Sequence, residues 1–107
     1  MGKNDDNDRA GRLGKAMGHP LRAQVLTLVH QNGPISGAGI VRDHGLGDFG
    51  NVSYHVGVLA ELEAVELAET RPTDGSSEYL YDTTPFGDEI VKELKRLGGQ
   101  PPPTGDA

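Results

Sequence analysis

The 107 residues carry a formal charge of -6, 35% hydrophobic side chains, sixteen glycines, no tryptophan and no cysteine. That length holds one domain with a thin core, and the lack of cysteine excludes a disulfide framework and every thiolate metal site, in keeping with a reducing compartment. No segment approaches the ~20 apolar residues that span a bilayer, and the charged start MGKNDDND lacks the apolar run of a signal peptide, so a cytoplasmic protein with no membrane partner is expected.

Residues 1–8 are polar and acidic and residues 98–107 are rich in Gly and Pro, so both read as disordered tails around one domain at 9–97. A first helix is predicted from about Arg9 to Met17, weakened by Gly11 and Gly14. A firmer one follows in HPLRAQVLTLVHQNG, where Pro20 suits the first turn, Leu21, Val25, Leu28 and Val29 share a face, and Gly33 supplies a stop. Ser36 is a good N-cap for a short helix through Ile40 and Val41, although Gly37 and Gly39 each cost about 1 kcal/mol relative to alanine. Gly45 ends that helix as a left-handed cap.

The next helix, about Phe49 to Leu62, repeats apolar residues at Val52, Val56, Leu59 and Leu62, a stripe that must pack inward. Asn51, Ser53 and Tyr54 fall off the stripe. VELAETR and SEYLYDT are then two strands joined by PTDGS, where Asp-Gly is a strong turn signal. The last helix has Thr84 as cap, Pro85 at its first position and a stripe of Phe86, Ile90, Leu94 and Leu97. The fold class is mainly α with a small β-hairpin, and the order of elements is that of a winged helix-turn-helix. Small hydrogen-bonding side chains on the outer first turn of the helix at 49–62 are what a helix entering a DNA major groove requires.

Charge is unevenly spread. In residues 9–60, Arg9, Arg12, Lys15, Arg22 and Arg42 against Asp43 and Asp48 leave +3, whereas in 61–82 Arg71 alone faces seven carboxylates and leaves -6. The helical half is suited to phosphates and much of the hairpin half is repelled by them. Arg22 and Arg42 are the leading phosphate contacts.

AMGHPLRAQVL, VSYHVGVL, VELAETRP and EYLYDTT together resemble the ArsR-type winged helix-turn-helix regulators, over roughly residues 10–97. The resemblance implies a homodimer built from the first and last helices that represses transcription by occupying a two-fold operator, with half-sites ~34 Å apart. Carried over by position, Asn51, Ser53 and Tyr54 match base-facing residues, His55 falls within the same motif, and Arg71 sits at the base of the wing. Leu13, Met17, Phe86, Ile90, Leu94 and Leu97 become the dimer interface. Three departures stand out: the turn GLGDFGN is one residue longer than usual, Glu63 occupies a position usually held by Gly, and the wing PTDGSSE lacks Arg and Lys.

Competing readings are weaker in the residues. His55 is the exception: it borders the buried stripe, so a packed histidine hydrogen-bonded to backbone is the leading reading, base contact the second and phosphate contact the third. His19, His30, His44 and His55 are dispersed, and no metal or cofactor is expected. Ser53 and His55, two apart on a helix, point in different directions and cannot act as a nucleophile and base, so no enzyme is expected. The alternative to DNA binding is a protein-binding winged helix that uses its acidic hairpin face on a basic partner.

Overall fold

The structure, a computed structural model, describes the backbone of residues 2–98 and the side chains of residues 8–98. Its elements run α1 (Gly2–Met17), α2 (Pro20–Asn32), α3 (Gly37–His44), α4 (Phe49–Glu61), β1 (Val65–Thr73), β2 (Ser76–Thr83) and α5 (Pro85–Gly98). The order and the fold class, mainly helical with one antiparallel hairpin, are those expected of a winged helix-turn-helix. The expected tail at 98–107 lies outside the described residues except for Gly98, which closes α5.

The start of the chain departs from expectation. Residues 2–8 continue α1 rather than forming a tail, and the helix begins seven residues before Arg9. Tertiary anchoring outweighs the weak propensity of Gly11 and Gly14. Arg12 lies 3.4 Å from Asp8 one turn earlier and 2.9 Å from Glu63, and its guanidinium sits 4.7 Å from the centre of the Phe86 ring. Arg9 pairs with Glu89 of α5, and Ala16 is fully buried.

In α2 the fully buried residues are Val25, Leu26 and Val29, with Leu21 and Leu28 half-buried. The helix packs on both α4 and α5, so its buried arc is wider than one stripe and takes in Leu26. Ser36 caps α3 by accepting the Gly39 amide at 2.9 Å, and Gly45 ends it with φ +62°. The two glycines counted as a cost serve packing. A side chain on Gly37 would begin 3.3 Å from Ser53 Oγ, so α3 crosses α4 closely enough that Ser53 would have to give by a few tenths of an ångström.

Helix α4 buries Val52, Val56 and Leu59, as its period requires. It closes in a Schellman motif, with Ala64 N–H donating to Leu59 O at 2.9 Å and Glu63 N–H to Ala60 O at 3.0 Å. Glu63 takes the left-handed position with φ +64°, carrying a Cβ where glycine is usual. Its carboxylate holds Arg12 of α1 in exchange. Glu63→Gly is expected to be about 1 kcal/mol more stable than Glu63→Ala in urea unfolding, because both lose the Arg12 pair and only glycine relieves the backbone. Equal midpoints would contradict the strain.

β1 and β2 pair antiparallel from Val65↔Thr83 to Thr73↔Ser76, with a bulge between Leu67 and Glu69. The strands reach closer together than PTDGS allowed, and Asp74-Gly75 alone makes the turn, with Gly75 at φ +72°. Ile35, just before α3, adds a single bridge to the other side of β2 through two 2.9 Å bonds with Tyr81. The start of α5 is clasped to the end of α4: Thr84 N–H donates to Ala64 O at 3.1 Å, Thr84 Oγ1 donates to Glu63 O at 2.6 Å, and the same oxygen accepts the Gly87 amide at 3.0 Å. The role of Thr84 as cap is the one its sequence predicts.

The predicted dimer stripe needs correction at one position. Ile90 is fully buried in the core of the single chain, because α5 folds back on α2, and so has no surface to offer a partner. Leu13, Met17, Phe86 and Leu94 are half-buried against the same core, and Leu97 is 53% exposed.

Candidate nucleic-acid interface

The outer face of α4 is positioned by its N-cap. Asp48, which periodicity does not single out, accepts the Asn51 backbone amide at 2.9 Å, and its second oxygen accepts from Asn51 Nδ2 at 3.0 Å. Asn51 is therefore exposed with its donor held by the cap and its carbonyl oxygen directed away from that bond. Tyr54, one turn further on, is 62% exposed. Ser53 is half-buried rather than fully outward, because α3 crosses over it.

His55 does not join this face. It is buried to 4% exposure, its Nδ1 accepts from Arg22 Nε at 3.1 Å, and its ring lies 4.4 Å from the tilted ring of His19 and 5.2 Å from that of Tyr54 in a T-shaped contact. The packing competitor is thus realised, but through an arginine side chain rather than backbone. Burial removes His55 from direct contact with a duplex. The same bond engages Arg22, whose Nη1 also donates to Lys15 O at 2.8 Å, so this expected phosphate contact is half-buried and tied to the α1–α2 junction.

Burial first, then the positive charges of Arg22 and His19, push the His55 pKa below its ordinary 6.5. The unfolded chain then binds more protons than the folded one below that value, so this contribution to stability is present above pH 6.5 and is lost as pH falls toward the folded pKa. Melting temperature is expected to drop on acidification from about pH 7 to about 5.5, and His55→Gln to flatten that drop. A pH profile unchanged by the substitution would assign the effect elsewhere. Asp88 also titrates low, through the Thr83 hydroxyl and then His30, but its loss begins only below 3.8, outside this window.

Arg42 and Arg71, far apart in sequence, line one polar hollow of about 290 Å³ between α3 and the hairpin. Arg71 lies near the wing tip rather than its base, in the third pair from the turn, facing Glu78. Each arginine is partly neutralised, Arg42 by Asp43 at 3.2 Å and Arg71 by Glu69 at 3.1 Å. Both pairs are exposed, so little energy opposes exchanging a carboxylate for a phosphate.

A second depression of about 410 Å³ runs between α4 and the inner strand of the wing. Ser53 and Gly57 of α4 form one side, and Glu78, Tyr79 and Tyr81 of β2 the other, with Phe49 at the end. Nothing in the chain order foretells it beyond a glycine in mid-helix. Among the described residues no three His, Cys, Asp or Glu side chains come together as a metal site, and no helix is long and apolar enough to cross a membrane. No protein-family profile, curated protein or solved structure matches this chain.

Proposed function

We propose that the chain is a cytoplasmic, DNA-binding transcriptional regulator of the ArsR type, acting as a homodimeric repressor that inserts α4 into the major groove of a two-fold operator. The observation that carries the reading is the two-sidedness of α4. Val52, Val56 and Leu59 seal its inner face, while Asn51 and Tyr54 stand on the outer one at the end nearest the helix-turn-helix bend. A rigid helix with its apolar face buried and amide and phenol groups outward is the arrangement that direct readout uses. Arg42 of the preceding helix and Arg71 of the wing line one hollow between α3 and the hairpin, and in this reading they contact the phosphate backbone that fixes register.

The second subunit in this reading covers Leu97 and the half-buried Leu13, Met17, Phe86 and Leu94. The function is recognition rather than catalysis, and no cofactor takes part. Purified protein titrated with DNA from its own upstream region is expected to bind with affinity that falls steeply with salt, and to protect two half-sites ~34 Å apart. Arg42→Ala and Arg71→Ala should each flatten the salt dependence by about 0.9 of a unit of slope. Binding without salt sensitivity, or none at all, overturns the reading.

A protein-binding role keeps one specific observation in its favour. Beyond Val65 every residue of β1 is exposed, including Glu66, Glu69 and the apolar Leu67. An acidic strand with an exposed leucine fits a basic partner. Charge reversal at Glu66, Glu69 and Glu78 distinguishes the two roles, since it abolishes capture of such a partner and leaves DNA affinity equal or higher.

A further inference from the structure

A depression of about 390 Å³ opens between α2 and the last turns of α5. The two helices run antiparallel, since His30 of α2 meets Asp88 near the start of α5 at 3.0 Å, whereas Ala23, Thr27 and Leu28 share the depression with Leu94 near its end. Leu46, in the turn between α3 and α4, closes the side. Leu28, Leu46 and Leu94 are half-buried against the core and present their remaining surface to this space.

Position names the occupant. α5 ends at Gly98, one helical turn past Leu94, and the chain continues as Gly99, Gln100, Pro101, Pro102 and Pro103. Returning from Gly98 to the level of Leu94 takes about 6 Å at ~1.5 Å per helical residue, and the three residues that lead to Pro101 span about 10 Å when extended. Gly98 and Gly99 permit the reversal. The proline run therefore reaches the depression with chain to spare.

The chemistry of the walls agrees with that occupant. None of the lining residues is Asp, Glu, Lys or Arg, so nothing there offsets the desolvation of a charged group. Residues 99–105, GQPPPTG, carry no charge, whereas residues 3–8 at the other end, KNDDND, carry a lysine and three aspartates. A run of prolines offers carbonyl acceptors and no N–H donors. The rim supplies the counterpart: the Gln24 and His44 side chains are exposed, have no hydrogen-bond partner among the described residues, and both donate. Consecutive prolines also hold an extended helix without internal hydrogen bonds, so little conformational freedom is lost on docking.

We infer that the proline run at residues 101–103 folds back on its own chain and occupies the depression between α2, the α3–α4 turn and α5. There it covers Leu94, a residue of the proposed dimer surface, so the run and a second subunit compete for one face. That consequence rests on the homodimer reading; the docking itself does not.

The lack of cysteine supplies the test. A nitroxide attached to Thr104→Cys in the full chain is expected to broaden the amide signals of Ala23, Thr27 and Leu46. Adding Pro101→Ser, Pro102→Ser and Pro103→Ser to the labelled chain should restore most of that intensity, whereas a tether that only brushes the surface broadens both chains alike, because its anchor at Gly98 is the same. Without the label, the same three replacements should move the amide shifts of Gln24, Thr27 and His44 and leave those of the hairpin in place. When labelled chain without isotope is mixed with isotope-enriched chain without label, no broadening is expected at these amides. Equal broadening with and without the prolines, unchanged shifts at Gln24 and His44, or broadening in the mixture, which makes a second copy the occupant, would each overturn the inference. All the replacements lie beyond α5, so the fold is retained in every arm. Since DNA is absent, a negative result here leaves the proposed regulator intact, and a failure of that proposal leaves the docking standing.

Discussion

Replacing Gly87 by alanine is expected to destabilise the chain by about 3 kcal/mol or more, lowering its melting temperature by roughly 15 °C. A Cβ at this position would fall far inside the contact limit of Ala64 O, 3.0 Å from the Ala64 carbonyl carbon and 3.3 Å from Thr83 Cβ. The obstruction is backbone, and that backbone is itself held, because Ala64 O accepts the Thr84 amide. No flexible side chain can step aside. Relief requires α5 to slide off the α4–β1 junction, which would uncover Ile90 and Val91, both buried in the core. Gly11→Ala is the control: nothing lies within 4 Å of its Cβ position, and alanine there should stabilise α1 by about 1 kcal/mol. Urea unfolding followed by circular dichroism measures both, and a Gly87→Ala midpoint close to that of the parent would refute the clasp.

Removing the outward groups of α4 is expected to have the largest effect on function. Asn51→Ala with Tyr54→Ala should weaken binding to the upstream DNA by one to several orders of magnitude, from about 1–3 kcal/mol for each base edge no longer read. Both side chains are exposed, so the fold should be retained; Tyr54 meets the His55 ring in a T-shaped contact and Asn51 bonds the exposed Asp48 cap. The salt dependence should remain that of the parent, since hydrogen bonds to base edges displace no counterions. This is the reverse of the pattern expected for Arg42→Ala and Arg71→Ala, and fluorescence anisotropy over a range of salt concentrations separates the two. A double variant that binds every sequence as tightly as the parent would end the proposal that α4 supplies specificity.

Periodicity and capping made most of the fold legible. The stripe of α4, the Ser36 and Thr84 caps, the left-handed Gly45 and the Asp-Gly turn are local features, set by residues within a few positions of one another, and each lies where its sequence places it. What escaped was set by distant partners. Residues 2–8 are helical in a chain whose α1 is moored by Arg9 to Glu89 and by Arg12 to Glu63, links across some eighty and fifty positions that no window reveals. Leu26 and Ile90 are buried because α2 and α5 pack together, and Arg22 reaches His55 because two helices meet. The candidate interface was legible in the same proportion. Asn51 and Tyr54 follow from phase alone, while the convergence of Arg42 on Arg71, and the groove beneath the wing, depend on the path of the hairpin.

β1 has a neighbour on one side only, among the described residues. Its other margin presents unsatisfied amides and carbonyls, a template on which any extended segment could add itself. The carboxylates that make this half of the chain so acidic stand along that margin: Glu66 and Glu69 repel a like copy, and Pro72 withholds a donor near the tip. Negative charge along this margin disfavours edge-to-edge pairing between copies, whatever the helices do. A variant with a basic wing, however attractive for a polyanion, should precipitate sooner than the parent.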